Sequence, residues 1–552
     1  MNPADLALLR AEWQPRLFNE PNRADLAAWI GEAGGRALRI RVHGNHGFAA
    51  VASAMRAYAG WNGFAVDCAH TGYDDTLSLD LAETADAELI WFDTDRLRAS
   101  GETNVGEWLA KRLRALRSRT TNPIVTLAWP LSKAERDVLE RAEIPGSYVA
   151  DLAPLAAKLG ERWLDRRANA LSGTRLGNQA CLGIARELAC CWLPAAALPP
   201  RKAVVVDLDG TLYRGVLGED GPARVALTPA HHALQTRLAA FRAAGILLAL
   251  VSRNEKADVE ALFAARSDFP LRLTDFSAID IAWDDKPRAL RNIAERLRIG
   301  EDAMVFVDDN PGELAAAASA LPVFTVHARD DAAETAAALE HVSGLFRWNH
   351  SGEDAIRAVD LRASELRDAL GAEAVSDDDY LASLRVQLTV LVGPRTHVAR
   401  LADLSAKTNQ FNLSLARMSE ADIAHRLERD PASVVAIRLE DRLSDSGIVS
   451  LIVGSRDATT LQVDELCVSC RALGRRLEST MLTAGLLAMA NERAPEKVVF
   501  TLRKAPRNAP ARRWLEQYAD VRLDDETSFV EMPFDAVARK PLSPAIRTEV
   551  IR

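Results

Sequence analysis

Short apolar runs that stop abruptly at polar residues recur through the first two thirds of the chain, with helical spacing of apolar positions between them. Leu38 to Val42, Glu88 to Phe92 and Pro123 to Leu127 read as strands separated by helices. Ala203 to Val206, Leu247 to Val251 and Met304 to Val307 repeat the pattern. Such alternation implies parallel sheets, whose strands are apolar throughout because both faces are covered. Ser351 to Asp354 reads as a helix cap with acidic first-turn residues, opening a helical connector rich in Arg and Leu. Beyond it Val386 to Val392, Ser433 to Leu439, Ile448 to Val453, Thr460 to Val468 and Lys497 to Leu502 alternate well enough to be strands of an α+β domain. Pro194, Pro199 and Pro200 mark a linker. The predicted organisation is an N-terminal α/β domain at 1–195, a second α/β domain at 201–345, a connector at 346–379 and an α+β domain at 380–552.

Composition narrows the class. The 552 residues are too many for one core. At 48% apolar and 26% charged they fit a water-soluble globular chain. No run approaches the ~20 uninterrupted apolar residues of a membrane span, and the start lacks a secretory pattern, so a cytoplasmic location is expected and no membrane partner. Six cysteines are too few for a disulfide framework. A net charge of -9 argues against nucleic acid as a partner.

The chemistry concentrates where the apolar runs end. Asp207 and Asp209 follow Val206, lie on one side of the chain by strand alternation, and are followed by Gly210. Carboxylates at the carboxyl end of a buried strand sit where open α/β sheets bind ligands, and such a pair can hold a hard cation. Ser252, Arg253 and Asn254 end the second run, and Asp308, Asp309 and Asn310 end the third. Lys286 precedes Pro287 and a helical pattern. In the N-terminal domain the tip His43, Asn45 and His46 has no nucleophile signature; it reads as a turn before a helix, in a scaffold or docking domain.

Asp207-Leu-Asp-Gly-Thr-Leu212, the strand ending at Ser252, Lys286 and Asp308-Asp-Asn-Pro311, in that order, resemble the four motifs of the haloacid dehalogenase (HAD) phosphatase superfamily. The resemblance implies a capless Rossmann-like domain, since the short interval between Ser252 and Lys286 leaves no room for a large cap. It implies Mg²⁺ as cofactor, held by Asp207, the backbone carbonyl of Asp209 and Asp308, with Asp309 serving the metal through water. Asp207 is then the nucleophile and Asp209 the general acid and base, while Ser252 and Lys286 hold the transferred group.

Ser469-Cys-Arg-Ala-Leu-Gly-Arg475 after the fourth strand of the last domain resembles the strand-to-helix turn of GCN5-related N-acetyltransferases (GNAT), with Arg476 in place of the final small residue. Taken together, the chain is similar to the FkbH-like proteins of polyketide pathways: an SGNH-like α/β domain, a capless HAD domain and a GNAT-like domain. Further marks are Gly215 to Gly221, Lys407 to Leu413 and Asp441 to Gly447. The resemblance implies a bifunctional enzyme that dephosphorylates 1,3-bisphosphoglycerate and loads a glyceryl group onto the phosphopantetheine thiol of an acyl carrier protein. Cys470 is the candidate acyl-transfer nucleophile, expected at a helix N-terminus beside Arg471 and Arg475, or else a core cysteine. Asn254, Asn409, Gln410, Asn412, Arg471, Gly474 and Arg475 are the candidate substrate and carrier contacts; Asn409, Gln410 and Asn412 read equally as turn caps. Arg475, Arg476, Arg503, Lys504, Arg507, Arg512 and Arg513 are candidates for docking an acidic carrier. The alternative is a phosphatase of another phosphorylated small molecule with a binding-only C-terminal domain.

Overall fold

The computed structural model of the chain describes every residue except 20, 30–36, 80, 82–83, 166, 168, 170–171, 349–351, 375 and 491–493. The cap expected at Ser351 lies outside the described residues. The chain forms two compact units, Met1–His350 and Ser351–Arg552. Both are mixed α/β.

The first unit holds two five-stranded sheets. Strands β1 (Ala37–Gly44), β2 (Ala65–Tyr73), β3 (Ala87–Asp93), β4 (Ile124–Trp129) and β5 (Ser147–Val149) run parallel in the order β2-β1-β3-β4-β5. Strands β6 (Ala203–Val206), β7 (Leu247–Ser252), β8 (Ala278–Ile281), β9 (Met304–Asp308) and β10 (Phe324–His327) run parallel in the order β10-β9-β6-β7-β8. Their central strands are buried on both faces, which is why β6 reads Ala-Val-Val-Val without a polar position.

One apolar cluster, from Trp13 to Leu345, runs through both halves of this unit. The N-terminal helix Pro3–Phe18 starts at an Asn2 cap and buries Trp13, Leu17 and Phe18. It lies against the alanine-rich helix Pro311–Ala320, whose small buried Ala317 and Ala318 permit close approach. Its Gln14 pairs with the main chain of β10: Gln14 Nε2 donates to His327 O (2.8 Å) and His327 N donates to Gln14 Oε1 (3.1 Å). The helical stretch Asn178–Ala197 is long and apolar enough to cross a membrane by length and composition, and most of it is buried in this unit. Arg186 and Glu187 interrupt its apolar run, so a search for uninterrupted apolar residues passes it over.

The second unit is built on a seven-stranded mixed sheet in the order β16-β15-β14-β13-β12-β11-β17. The strands are β11 (Gln387–Val392), β12 (Val434–Glu440), β13 (Asp445–Arg456), β14 (Thr460–Val468), β15 (Lys497–Thr501), β16 (Phe529–Pro533) and β17 (Arg547–Ile551). The helix Glu478–Ala490 is apolar nearly all round and correspondingly buried; at Gly485 an added Cβ would meet Ile452 Cδ1 at 2.6 Å. Strands β14 and β15 pair only over Thr460–Val463, after which they part. The segment 411–413 fills the seam, with Val468 N donating to Phe411 O (2.8 Å), Leu413 N to Leu466 O (3.1 Å) and Arg503 N to Leu413 O (2.9 Å).

Candidate active site

Register places the polar strand ends of the second sheet side by side. Val206 pairs with Val307 on one side and Leu250 on the other, so Asp207 is level with Asp308 and Val251 at the carboxyl edge. Asp207 N donates to Val307 O (2.9 Å). The helix Lys286–Arg296 starts at this edge, capped by Asp285, whose Oδ1 accepts from Arg288 N (2.7 Å), with Pro287 pre-set for the first turn. That start delivers Lys286, 4% exposed, into the space between β6 and β9. Its Nζ donates to Asp207 Oδ1 and lies 3.3 Å from Asp308 Oδ2.

Oxygens of Asp207, Asp308 and Asp309 lie within 4.8 Å of one another. Three carboxylates face one ammonium, so ionising all three would leave a surplus of two negative charges. Burial pushes the Asp207 carboxyl up to about 7, with Lys286 opposing and Asp308 adding to the rise. Burial likewise raises Asp308 and Asp309. Burial acts against the Lys286 ammonium, but Asp207 and Asp308 outweigh it and its pKa rises. Asp308 Oδ1 accepts from Asn310 N (2.9 Å), whereas its buried Oδ2 has no aligned hydrogen-bond donor among the described residues. An all-oxygen donor set of three carboxylates balanced by one ammonium fits a hard divalent cation.

The side chain of Asp209 is outside this trio and is held by three donors. Tyr213 Oη (2.5 Å) and Leu217 N (2.9 Å) donate to its Oδ1, and Asn254 Nδ2 donates to Oδ2 (2.7 Å). Asn254 Nδ2 also reaches Ser252 Oγ at 2.9 Å. Asn254, expected to contact substrate, is therefore occupied in orienting Asp209 and Ser252. Tyr213, fully buried, touches Asp209 but is not singled out by the sequence; the turn through Gly210 (φ +67°) brings it back to Asp209. Gly210 also leaves room for Asp309, whose Oδ2 lies 2.4 Å from where a Cβ would stand. At the rim, Arg253 Nη1 donates to Glu313 Oε1 (2.6 Å), and Trp283, 72% exposed, donates through Nε1 to Glu255 Oε1 (3.0 Å).

In the second unit the predicted residues separate. Cys470 is half-buried in a turn after β14, and the next helix starts only at Glu478, so Cys470 does not cap a helix. Gly474 (φ +76°) and Arg476 (φ +60°) turn the chain in between, and Gly474 N donates to Glu478 Oε1 (2.8 Å). Arg475, expected beside the thiol and facing a carrier, is 2% exposed and committed to buried carboxylates. Its Nη2 lies 2.8 Å from Asp360 Oδ2 and its Nη1 3.2 Å from Asp441 Oδ2. Arg471 is buried. Asn412, fully buried, donates through Nδ2 to Glu465 Oε1 (2.8 Å) and accepts from Leu415 N (2.8 Å), so it braces the seam. Asn409 accepts from Arg417, and Gln410 is partly exposed.

No family model matches the chain, and no curated protein matches it either. Among solved structures it is similar to the N-terminal part of a Bacteroides fragilis protein containing a phosphatase domain, complexed with Mg: 18% identity, TM-score 0.46, over 63% of this chain and 100% of that one. It is similar to D,D-heptose 1,7-bisphosphate phosphatase from B. bronchiseptica, complexed with magnesium and phosphate, at 18% identity and TM-score 0.20, over 25% of this chain and 98% of that one. A fungal GCN5-related glucosamine N-acetyltransferase region matches at 11% identity and TM-score 0.19, over 95% of this chain and 69% of that one.

Proposed function

We propose that the first unit is an Mg²⁺-dependent phosphatase of HAD type. The observation that carries this reading is the meeting of Asp207, Asp308 and Asp309 with Lys286 at the carboxyl ends of adjacent parallel strands. Asp207, Asp308 and Asp309 would hold the cation, which supplies charge neutralisation for the phosphoryl oxygens. An oxygen of Asp207 attacks phosphorus and the ester or anhydride oxygen departs, leaving an aspartyl-phosphate on Asp207. Asp209, fixed by Tyr213, Leu217 N and Asn254, gives its proton to the departing oxygen and later takes one from the water that cleaves the aspartyl-phosphate. Ser252 and Lys286 hold the phosphoryl oxygens; Lys286 also restrains Asp207.

The substrate we propose is 1,3-bisphosphoglycerate, with Cys470 taking the glyceryl group from the acyl phosphate before the carrier-protein thiol accepts it. This rests on the motif pattern and on Cys470 being one of two cysteines that are not fully buried; the other, Cys68, has its thiol pushed up to about 12 by burial. The test is phosphate release and carrier mass with Mg²⁺ and with chelator. Because attack of the Cys470 thiolate on the acyl carbonyl itself expels one phosphate, Asp207→Asn is expected to stop only the Mg²⁺-dependent release of the second phosphate and to leave the carrier loaded in its heavier phosphoglyceryl form; an unchanged carrier mass with wild-type protein would sink the transferase reading.

A second reading, a phosphatase of another small molecule with a binding-only C-terminal unit, is favoured by the burial of Arg475 and Asn412 on carboxylates of their own chain. It predicts that Cys470→Ala leaves product formation intact.

A further inference from the structure

At the opposite edge of the catalytic sheet, a cleft of about 470 Å³ opens between the N-terminal helix, the turn at Asn62 and Gly63, and the chain entering β10. Two arginines line it. Arg10, 8% exposed, donates through Nε to Trp61 O (2.7 Å). Its terminal nitrogens have no hydrogen-bond or carboxylate partner among the described residues, and Gly63 keeps Nη2 uncovered, since a Cβ there would stand 2.8 Å from it. Arg201 donates through Nη1 to the carbonyls of Asp302 (2.7 Å) and Met304 (3.4 Å) and forms no ion pair among the described residues. Both guanidinium groups lie on the Phe324 ring, at 4.6 and 4.8 Å from its centre. Arg253, Arg367 and Arg475 each have a carboxylate in contact, whereas Arg10 and Arg201 have none among the described residues. Burial, then the charge of Arg201, hold Arg10 below its usual range, to about 9. Burial lowers Arg201 to about 10, with the Asp302 charge opposing, so both remain cationic at neutral pH.

A pair of cations turned toward one cleft without a carboxylate in contact is unfavourable unless an anion joins them. We propose that the cleft binds a small tetrahedral oxyanion of the phosphate or sulfate type through Arg10 and Arg201. Guanidinium groups suit this ligand because their forked N–H donors match two oxygens of one anion. The remaining lining is neutral, with Ser319 exposed at the rim and Pro322 and Leu321 closing one side. Arg201 precedes β6 and Phe324 opens β10, whereas Asp207 and Asp308 close β6 and β9, so this site is separate from the carboxylate centre. An anion here would fasten the N-terminal helix to the entrance of the catalytic sheet.

The test is calorimetric titration of the full-length protein with inorganic phosphate, in chelator and at constant ionic strength. Saturable binding is expected in the wild type and in Asp207→Asn, weakened about tenfold or more in Arg10→Gln and in Arg201→Gln. Ser319→Glu, at an exposed position, is expected to weaken it similarly by offering the arginines a carboxylate in place of the ligand. No saturable binding up to ~10 mM phosphate in the wild type would overturn the proposal. So would binding that survives in Arg10→Gln and Ser319→Glu but disappears in Asp207→Asn, which would place the phosphate at the carboxylate centre.

Discussion

Asp207 reaches its place through four apolar residues, and its ionisation is set by what those residues exclude. Between the ordinary carboxylate range and about 7, the folded protein keeps a proton on Asp207 that the unfolded chain has released. In chelator, stability should therefore fall as pH rises through that window. Melting temperatures measured at steps from pH ~5 to ~7.5 test this; Asp207→Asn should flatten the slope, and Mg²⁺ should raise the curve most at the upper end. Gly210 carries a second residue-level prediction. Gly210→Ala puts a Cβ into Asp309 and a side chain at positive φ, so a loss of about 1–3 kcal/mol by chemical denaturation and a higher Mg²⁺ concentration for half-maximal phosphate release are expected. Strand-end carboxylates such as Asp207 and Asp308 are legible in the sequence, because an apolar run that stops at an acid puts that acid at the rim of a buried sheet. The Tyr213 contact is not, because the positive-φ turn at Gly210 determines it, and neither is the occupation of Asn254 by Asp209, forty-five positions away.

At the scale of elements, parallel order follows from the alternation of strands and helices, but the partnerships between distant elements do not. Gln14 mimics a main-chain partner for β10, and nothing in a helix at residues 3–18 announces a strand three hundred positions on. Gln14→Leu strips two main-chain groups of His327 of their partner, so a loss of about 1–3 kcal/mol is expected in urea unfolding. His327 Nε2 also lies 3.0 Å from Asp309 O, so the same variant should raise the Mg²⁺ concentration needed for half-maximal phosphate release. In the second unit, Asp360 of the helix Gly352–Glu373 joins Arg367, Asp441 and Arg475 in a buried set of charges. Burial disfavours the Asp360 charge, and Arg475 and its other partners more than compensate, leaving its pKa lowered. Arg475→Ala leaves those carboxylates unpaired in the interior, and a loss of about 3–5 kcal/mol is expected. An Arg in a basic turn reads as a docking residue until its acidic partner, 115 positions earlier, is brought to it.

For the whole molecule, the groups assigned to phosphate chemistry all fall within Met1–His350, and Cys470 falls within the other unit. A fragment of residues 1–350 should keep Mg²⁺-dependent phosphate release and lose any acyl loading of a carrier; a fragment inactive in both, yet folded by circular dichroism, would contradict this division of labour. The parting of β14 from β15 bears on how the second unit can work. Residues 411–413 already take up Val468 N and Leu466 O of β14 and Arg503 N just beyond β15, and Asn412 anchors them to Glu465. If Cys470 takes up an acyl group as proposed, a slender acyl-bearing arm entering between these strands would have to displace three residues of main chain, whereas an approach from the solvent side of the Cys470 turn would not.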